Sequence, residues 1–420
     1  MTPTLDTWIA RDAIPFALDG TFDAAVDRLV AGLGDGVTIL GLGEPLHGGE
    51  EFLVLRNRLF QRLATAHGFS AIAVESSFPR GRHVAGYVAG GPGSFADIEE
   101  AGFSHGFGRL DANRELVEWM RDYNRASTGV PLRFHGFDSP TEMTHTDSPR
   151  ELLTLVLDYL AVIGADDPAR RKRIEAHLGP DGAWENPAAM MDPAQSIGLS
   201  PAATALRIEV EDLLAELHLR RPELAGDDRY HAAVQYAVAA RGLLTYHAAL
   251  ARDTPRRLAD CLGLRDAMMA DNLAYVTARE RGRGKVLAFA HNMHLKLGAA
   301  RWQLGPHALE WWPAGAQLRA LLGPAYRVIG TGLGASEANG IGPPEAGTLE
   351  ARLTVSGSAR FIPTHLGWGL PAAEVAALPT RTASTRNHSY FALTAESLTD
   401  FDWLAVVPVT AYNRGGPPLP

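Results

Sequence analysis

Six short apolar runs punctuate the chain: VTILGLGE (37–44), AIAVESS (71–77), LRFHGFDS (132–139), KVLAFAH (285–291), YRVIGTG (326–332) and DWLAVVPV (402–409). Each is continuous rather than alternating, the pattern of strands covered on both faces in a parallel sheet. Helical patterns separate the early ones. EEFLVLRNRLFQRLATAHG (50–68) places Phe52, Leu55, Leu59, Phe60 and Leu63 on one side and meets a stop at Gly68. DANRELVEWMRDYNR (111–125) opens on Asp111, a candidate N-cap. Strand–helix–strand repetition predicts an α/β fold, a central mostly parallel sheet flanked by helices.

The middle of the chain breaks this rhythm. Residues 150–280 hold helical patterns and no strand-like run, and core strands resume at 285. The expectation is a first part of the α/β core over 1–149, a large helical insertion over 150–280 that caps the cleft, and the remainder of the core over 281–420. The terminal NRGGPPLP is read as frayed.

Composition narrows the partners. In 420 residues, 39 Lys and Arg face 48 Asp and Glu, a formal net charge of −9. That balance disfavours nucleic acid and anionic membrane surfaces and leaves a small molecule as the expected partner. The single cysteine, Cys261, excludes an intramolecular disulfide and a cysteine-based metal site, and its apolar helical setting reads as a buried structural thiol. The first residues, MTPTLDTWIARDAIPF, carry acidic groups where a signal peptide has a basic region, and no apolar stretch is long enough to span a bilayer. A cytoplasmic protein is expected.

Candidate chemistry lies where the strands end, because open α/β sheets bind ligands at their carboxyl edge. The first run ends in Glu44, with His47, Gly48 and Gly49 after it. The second reaches Glu75, and the fourth ends in His291 with His294 three residues on. One such residue is commonly a cap or a surface group; three at one edge point to a site. A histidine beside a carboxylate has its tautomer fixed and its cation stabilised, which suits water activation. Arg56, at the border of the apolar face of its helix, is placed to pair with a glutamate or an oxyanion.

Two other chemistries compete. His47, His291 and His294 with Glu44 and Glu75 could supply zinc ligands, but the HxxH follows a strand instead of lying on an HExxH helix, so no metal and no cofactor are expected. Gly102–Gly106 spells G-x-S-x-G around Ser104, yet no strand precedes it and no helix follows directly. Ser104 is therefore read as part of a glycine-rich loop lining the site and not as a nucleophile. GTGLGA (330–335) is an incomplete dinucleotide signature.

These motifs together resemble the erythromycin esterase family, which includes proteins associated with succinoglycan biosynthesis. The resemblance rests on LGLGEPLHGGEEF (40–52), the arginine-bearing helix and Glu-Ser strand end within 55–81, LRDAMMADN (264–272) and FAHNMHL (289–295), in the family's order over about 35–410. It implies a metal-independent hydrolase in which His47 is the general base for water attack on a macrolide lactone. Glu44 and Glu75 would hold and tune that base. Arg56, His291 and His294 would complete the charged cleft, with Arg265 and Asn272 approaching from their shared helix face. The chain departs from the pattern at Leu46, where many resistance esterases carry a hydroxyl residue near the histidine. Three function classes follow: hydrolysis of a lactone or ester in a large natural product, a biosynthetic elimination or cyclisation with the same base, and ligand binding alone.

Overall fold

A computed structural model describes residues 4–142, 145–364, 372–384 and 386–416. All six apolar runs form strands. In chain order the strands are β1 (Ile14–Phe16), β2 (Ile39–Glu44), β3 (Phe69–Ser77), β4 (Arg133–Asp138), β5 (Lys285–His291), β6 (Ala300–Leu304), β7 (His307–Trp311), β8 (Tyr326–Ala335), β9 (Ala359–Pro363) and β10 (Trp403–Val409). Eight make one sheet in the order β1-β9-β10-β8-β2-β5-β3-β4, while β6 and β7 form a separate hairpin. The sheet is parallel from β10 to β4; β9 pairs antiparallel with both β1 and β10.

The continuous apolar runs have a direct cause. Along β5, Leu287 and Phe289 face one apolar cluster, which also holds Leu29, Leu59 and Leu116 from three helices. Val286, Ala288 and Ala290 face the other, built with Met269, Leu273, Val276 and Leu318. Both faces are covered, so every position in the strand is apolar. Residues over 150–250 pack a third cluster of their own, including Leu153, Val156, Leu213 and Leu243. The helix Arg257–Glu280 instead lies on the sheet and brings Arg265 and Asp266 to its carboxyl edge.

Local signals held with one correction. The helix Glu50–Ala66 stops as expected, with Gly68 at φ +71°. The helix Asp111–Ala126 has Leu110 as its N-cap, so Asp111 occupies the first helical position and caps nothing through its side chain. There it still complements the positive helix end. The sequence does not signal β1, β9 or the β6–β7 hairpin: β1 is a three-residue edge strand, β9 has five residues, and the hairpin mixes exposed positions with buried or half-buried ones. Among the described residues, no helix is long and apolar enough to cross a membrane.

Candidate active site

The register of the sheet assembles the site. Glu44 and His291 are Cα partners at the ends of β2 and β5. β3, on the other side of β5, loses register with β4 between Val74 and Ser77. The irregularity spans Glu75 and Ser76, and a bulge of this kind re-aims a side chain. Gly136 on β4 permits it, because a Cβ there would meet the carbonyl oxygens of Ser77 at 2.4 Å and Ser76 at 2.6 Å. Glu75 Oε2 then accepts the backbone N–H of His291 at 2.7 Å.

His47 sits three residues past β2, followed by Gly48 at φ +113°, a conformation that favours glycine. Its Nδ1 lies 2.8 Å from Glu44 Oε1 and its Nε2 3.9 Å from Glu75 Oε1. Glu44 is buried and the His47 side chain is 35% exposed, so the imidazole is the accessible member of the pair. Burial opposes the His47 cation, but the Glu44 hydrogen bond and the charges of Glu75 and Glu44 push its pKa up to about 9. Burial also raises the Glu44 carboxyl, whose Oε2 meets no hydrogen-bond partner. With two carboxylates against one imidazole, the proton resides on His47.

The other two histidines differ from it and from each other. His294 Nδ1 lies 2.8 Å from Asp266 Oδ1, and its Nε2 lies 3.4 Å from Glu75 Oε1. Burial disfavours the His294 cation, yet Asp266 and Glu75 outweigh it and raise the pKa. Asp266 is itself fixed by the Trp311 indole N–H at 2.6 Å and the Ala314 N–H at 3.0 Å. His291 donates from Nε2 to the Ser389 carbonyl at 2.7 Å, while its Nδ1 accepts from the Met293 N–H at 3.2 Å. Both ring nitrogens are spent in one neutral tautomer. Burial, with the nearby His47 charge, lowers its pKa to about 3.

Glu75 is the hub. Burial would raise its pKa, but His294, His47 and Arg265 together bring it down to about 2. Arg265 holds Asp138 at the end of β4 through two hydrogen bonds of 3.0 and 2.6 Å, and its Nη2 lies 3.5 Å from Glu75 Oε1. Burial disfavours the Arg265 charge, but Asp138, Glu75 and Asp266 hold its pKa above the usual value.

Of the residues expected from sequence, Glu44, His47, Glu75, His291, His294 and Arg265 converge. Two stand behind the cleft floor, Arg56 lining a small recess there with Glu44, His47 and Glu75. Arg56 is buried behind Glu44, bonded to Asn57, Asn113 and the Ala112 carbonyl, with its guanidinium 4.9 Å from the Phe289 ring centroid. Burial lowers its pKa to about 10, and its charge supports Glu44 from below. Asn272 is buried between the Phe137 carbonyl and the Gln235 amide, tying its helix to β4. Leu46 packs with Phe52, Leu333, Tyr390 and Val407, away from the base. A hydroxyl is nonetheless present beside His47: Ser389 Oγ accepts its backbone N–H at 3.0 Å.

Ser389 belongs to a strap that sequence reasoning missed. Asn387 Nδ2 donates to the His47 carbonyl at 2.8 Å, and Asn387 Oδ1 accepts from the Ser389 hydroxyl at 2.7 Å. Asp138, also missed, ends an apolar run and was legible by the rule that found Glu44. His105 lies against it at 3.0 Å and, at φ 57°, is the one non-glycine residue with positive φ among those described. Ser104 Oγ accepts the Ser77 N–H at 2.9 Å, within a loop turned towards β3. Cys261 is buried.

The cleft has a volume of about 540 Å³; polar groups at the strand ends form its floor, and Phe107, Leu262, Met293, Trp302 and Trp311 form apolar walls. Among the described residues no group of three or more His, Cys, Asp or Glu is arranged to hold a metal ion. The arrangement offers one half-buried imidazole on a buried carboxylate, faced by Arg265 and His294 across Glu75. It can deprotonate water and meet negative charge that develops on a carbonyl oxygen.

The chain is similar to proteins already known. The sequence profile described as erythromycin esterase matches residues 64–409. An Escherichia coli protein named erythromycin esterase type II is 23% identical over 343 residues, covering 77% of this chain and 76% of that one. Among solved structures, a Bacillus cereus protein superposes with a TM-score of 0.75 at 17% identity, covering 98% of each chain. A succinoglycan biosynthesis protein gives 0.71 at 19% identity, again covering 98% of each. A mutant erythromycin esterase in its open conformation gives 0.65 at 19% identity, covering 93% of this chain and 95% of that one.

Proposed function

Because the chain belongs to the erythromycin esterase family, we propose that it is an esterase-type hydrolase that directs water at a lactone or other ester of a large natural product, with His47 as the base and no metal. The observation that carries this reading is the Glu44–His47 pair: Nδ1 is held on a buried carboxylate at 2.8 Å, while the half-buried ring lines the cleft with its Nε2 3.9 Å from Glu75 Oε1. Neutral His47 takes a proton from water at Nε2 as the water oxygen bonds to the carbonyl carbon. Glu44 holds the ring and stabilises the imidazolium. Arg265 and His294, both on the positive side of Glu75, face the developing oxyanion. Collapse of the tetrahedral intermediate expels the alkoxide, which takes the proton back from His47. His291, with both nitrogens occupied, is a neutral positioning group.

A macrolactone fits the size of the cleft and the name of the Escherichia coli relative. The test is incubation of the purified chain with macrolactones and simpler esters, read by mass spectrometry. A product heavier by one water, abolished by His47→Ala, supports hydrolysis. Conversion without mass change assigns the same base to elimination or cyclisation.

A further inference from the structure

Next to the cleft lies a smaller side pocket. Four residues line both spaces: Glu142, Leu262, Arg265 and Trp302. Behind them the side pocket is bounded by Met190, Tyr246, Leu258, Cys261, Leu304 and Leu309. These come from three parts of the fold: the turn Pro187–Met190 and helix Asp228–Leu250 of the insertion, the sheet-covering helix Arg257–Glu280, and the β6–β7 hairpin.

The chemistry of this pocket differs from that of the floor. Its charged residues, Arg265 and Glu142, are shared with the main cleft, and Arg265 is already engaged by Asp138. Deeper in, the walls are thioether, thiol and hydrocarbon. Burial pushes the Cys261 thiol up to about 12, so it stands as a neutral wall. The Tyr246 hydroxyl donates to Met190 Sδ at 3.9 Å and offers the one polar group behind the mouth. The volume is about 40 Å³. With roughly 10–15 Å³ needed per water-sized group, it has room for about three heavy atoms.

We propose that this side pocket is a substrate subsite that takes a short apolar arm, an alkyl substituent of about three carbons, of the same molecule whose ester lies at His47. The inference rests on the hydrolase reading above. The pocket adjoins, across Leu262 and Trp302, the cleft that holds the reacting group, so an arm of the molecule in that cleft is its nearest occupant. The enzyme thereby selects esters carrying an aliphatic branch near the scissile bond.

The experiment uses a homologous series of esters with one common leaving alcohol and unbranched acyl arms of increasing length, turned over by the full chain. A buried methylene is worth about fourfold in affinity. Specificity, kcat/KM, is expected to climb by up to about that factor per carbon as far as three or four carbons, then fall. Two half-buried wall residues outside the catalytic machinery test the pocket in opposite directions. Leu304→Trp, which fills it, shifts the optimum to shorter arms. Met190→Ala, which enlarges it, shifts the optimum to longer ones. A flat profile, or variants that move together, overturns the subsite. The hydrolase reading itself stands or falls separately, on the macrolactone incubation above; should no ester of this series be hydrolysed, the subsite is still tested. Calorimetric titration with primary alcohols of increasing length then decides the subsite, by the same opposed shifts in affinity or by their absence.

Discussion

The carbonyl oxygen of Ser389 accepts a hydrogen bond from His291 Nε2 at 2.7 Å, which fixes His291 as the tautomer protonated there. Its Nδ1 already accepts from Met293, so the ring cannot gain a proton without losing a bond. His291→Gln is expected to lower kcat roughly tenfold, the cost of about one unmade buried hydrogen bond. The rising limb of the pH–rate profile should stay where it is. A limb that moves with this substitution would make His291 the titrating base.

The working base is His47, and general-base assistance contributes roughly 10²–10⁴-fold. Removing the imidazole by His47→Ala should lower kcat by that much with a small change in KM. His67, which lies 2.8 Å from Asp27 at the end of the helix Glu50–Ala66, is the control. Turnover of His67→Ala should match the parent, and near-parental turnover of His47→Ala would refute the assignment.

With the pKa of His47 pushed to about 9, the neutral base is a minority at pH 7. The ratio kcat/KM should therefore rise about tenfold per pH unit from neutrality and level off above about pH 9. Stability runs the other way. A folded pKa above the unfolded value of 6.5 stabilises the fold fully below about pH 6.5, and this is lost as pH rises through about 9. The difference in Tm between the parent and His47→Ala should shift in the parent's disfavour between pH 6 and pH 10. A difference independent of pH would contradict the linkage.

His291 and His294 spend both ring nitrogens on backbone groups, Asp266 and Glu75, and Glu75 also holds the His291 N–H. Turnover should accordingly survive prolonged chelation unchanged, with metal analysis of the purified protein showing less than stoichiometric content. Stoichiometric zinc together with chelator-sensitive turnover would overturn the metal-free reaction.

Ser104 is 7% exposed and its hydroxyl is committed to the Ser77 N–H. Serine-directed fluorophosphonates should leave it unmodified, read by peptide mass spectrometry. Modification at Ser104 with parallel loss of turnover would restore a covalent mechanism.

The site was legible where a strand's own pattern announces it. Glu44, Glu75 and His291 each end an apolar run, and a polar group at the carboxyl end of a buried strand stands out against its neighbours. Asn387, Ser389 and Asp266 carry no such contrast. The first two lie in a polar loop and act through bonds to His47 and His291 far earlier in the chain. Asp266 is one polar residue in a long helix, and its importance appears only where Trp311 and His294 meet it. Arg56 and Asn272 were legible only in part: helical spacing reports which face a residue shares, not whether that face meets the cleft or the layer behind it, where Arg56 backs Glu44 and Asn272 ties its helix to β4. The strands β1 and β9 are too short to show a period.

The pairing of Glu44 with His291 also sets the order in which activity can emerge as the chain folds. Their strands are neighbours in the sheet, yet the whole helical insertion lies between them in sequence. The insertion's helices are held by local contacts, which form early. The β2–β5 ladder closes a long loop and forms late. During refolding from denaturant, the helical circular-dichroism signal should thus return ahead of turnover, and turnover becomes a reporter of sheet closure.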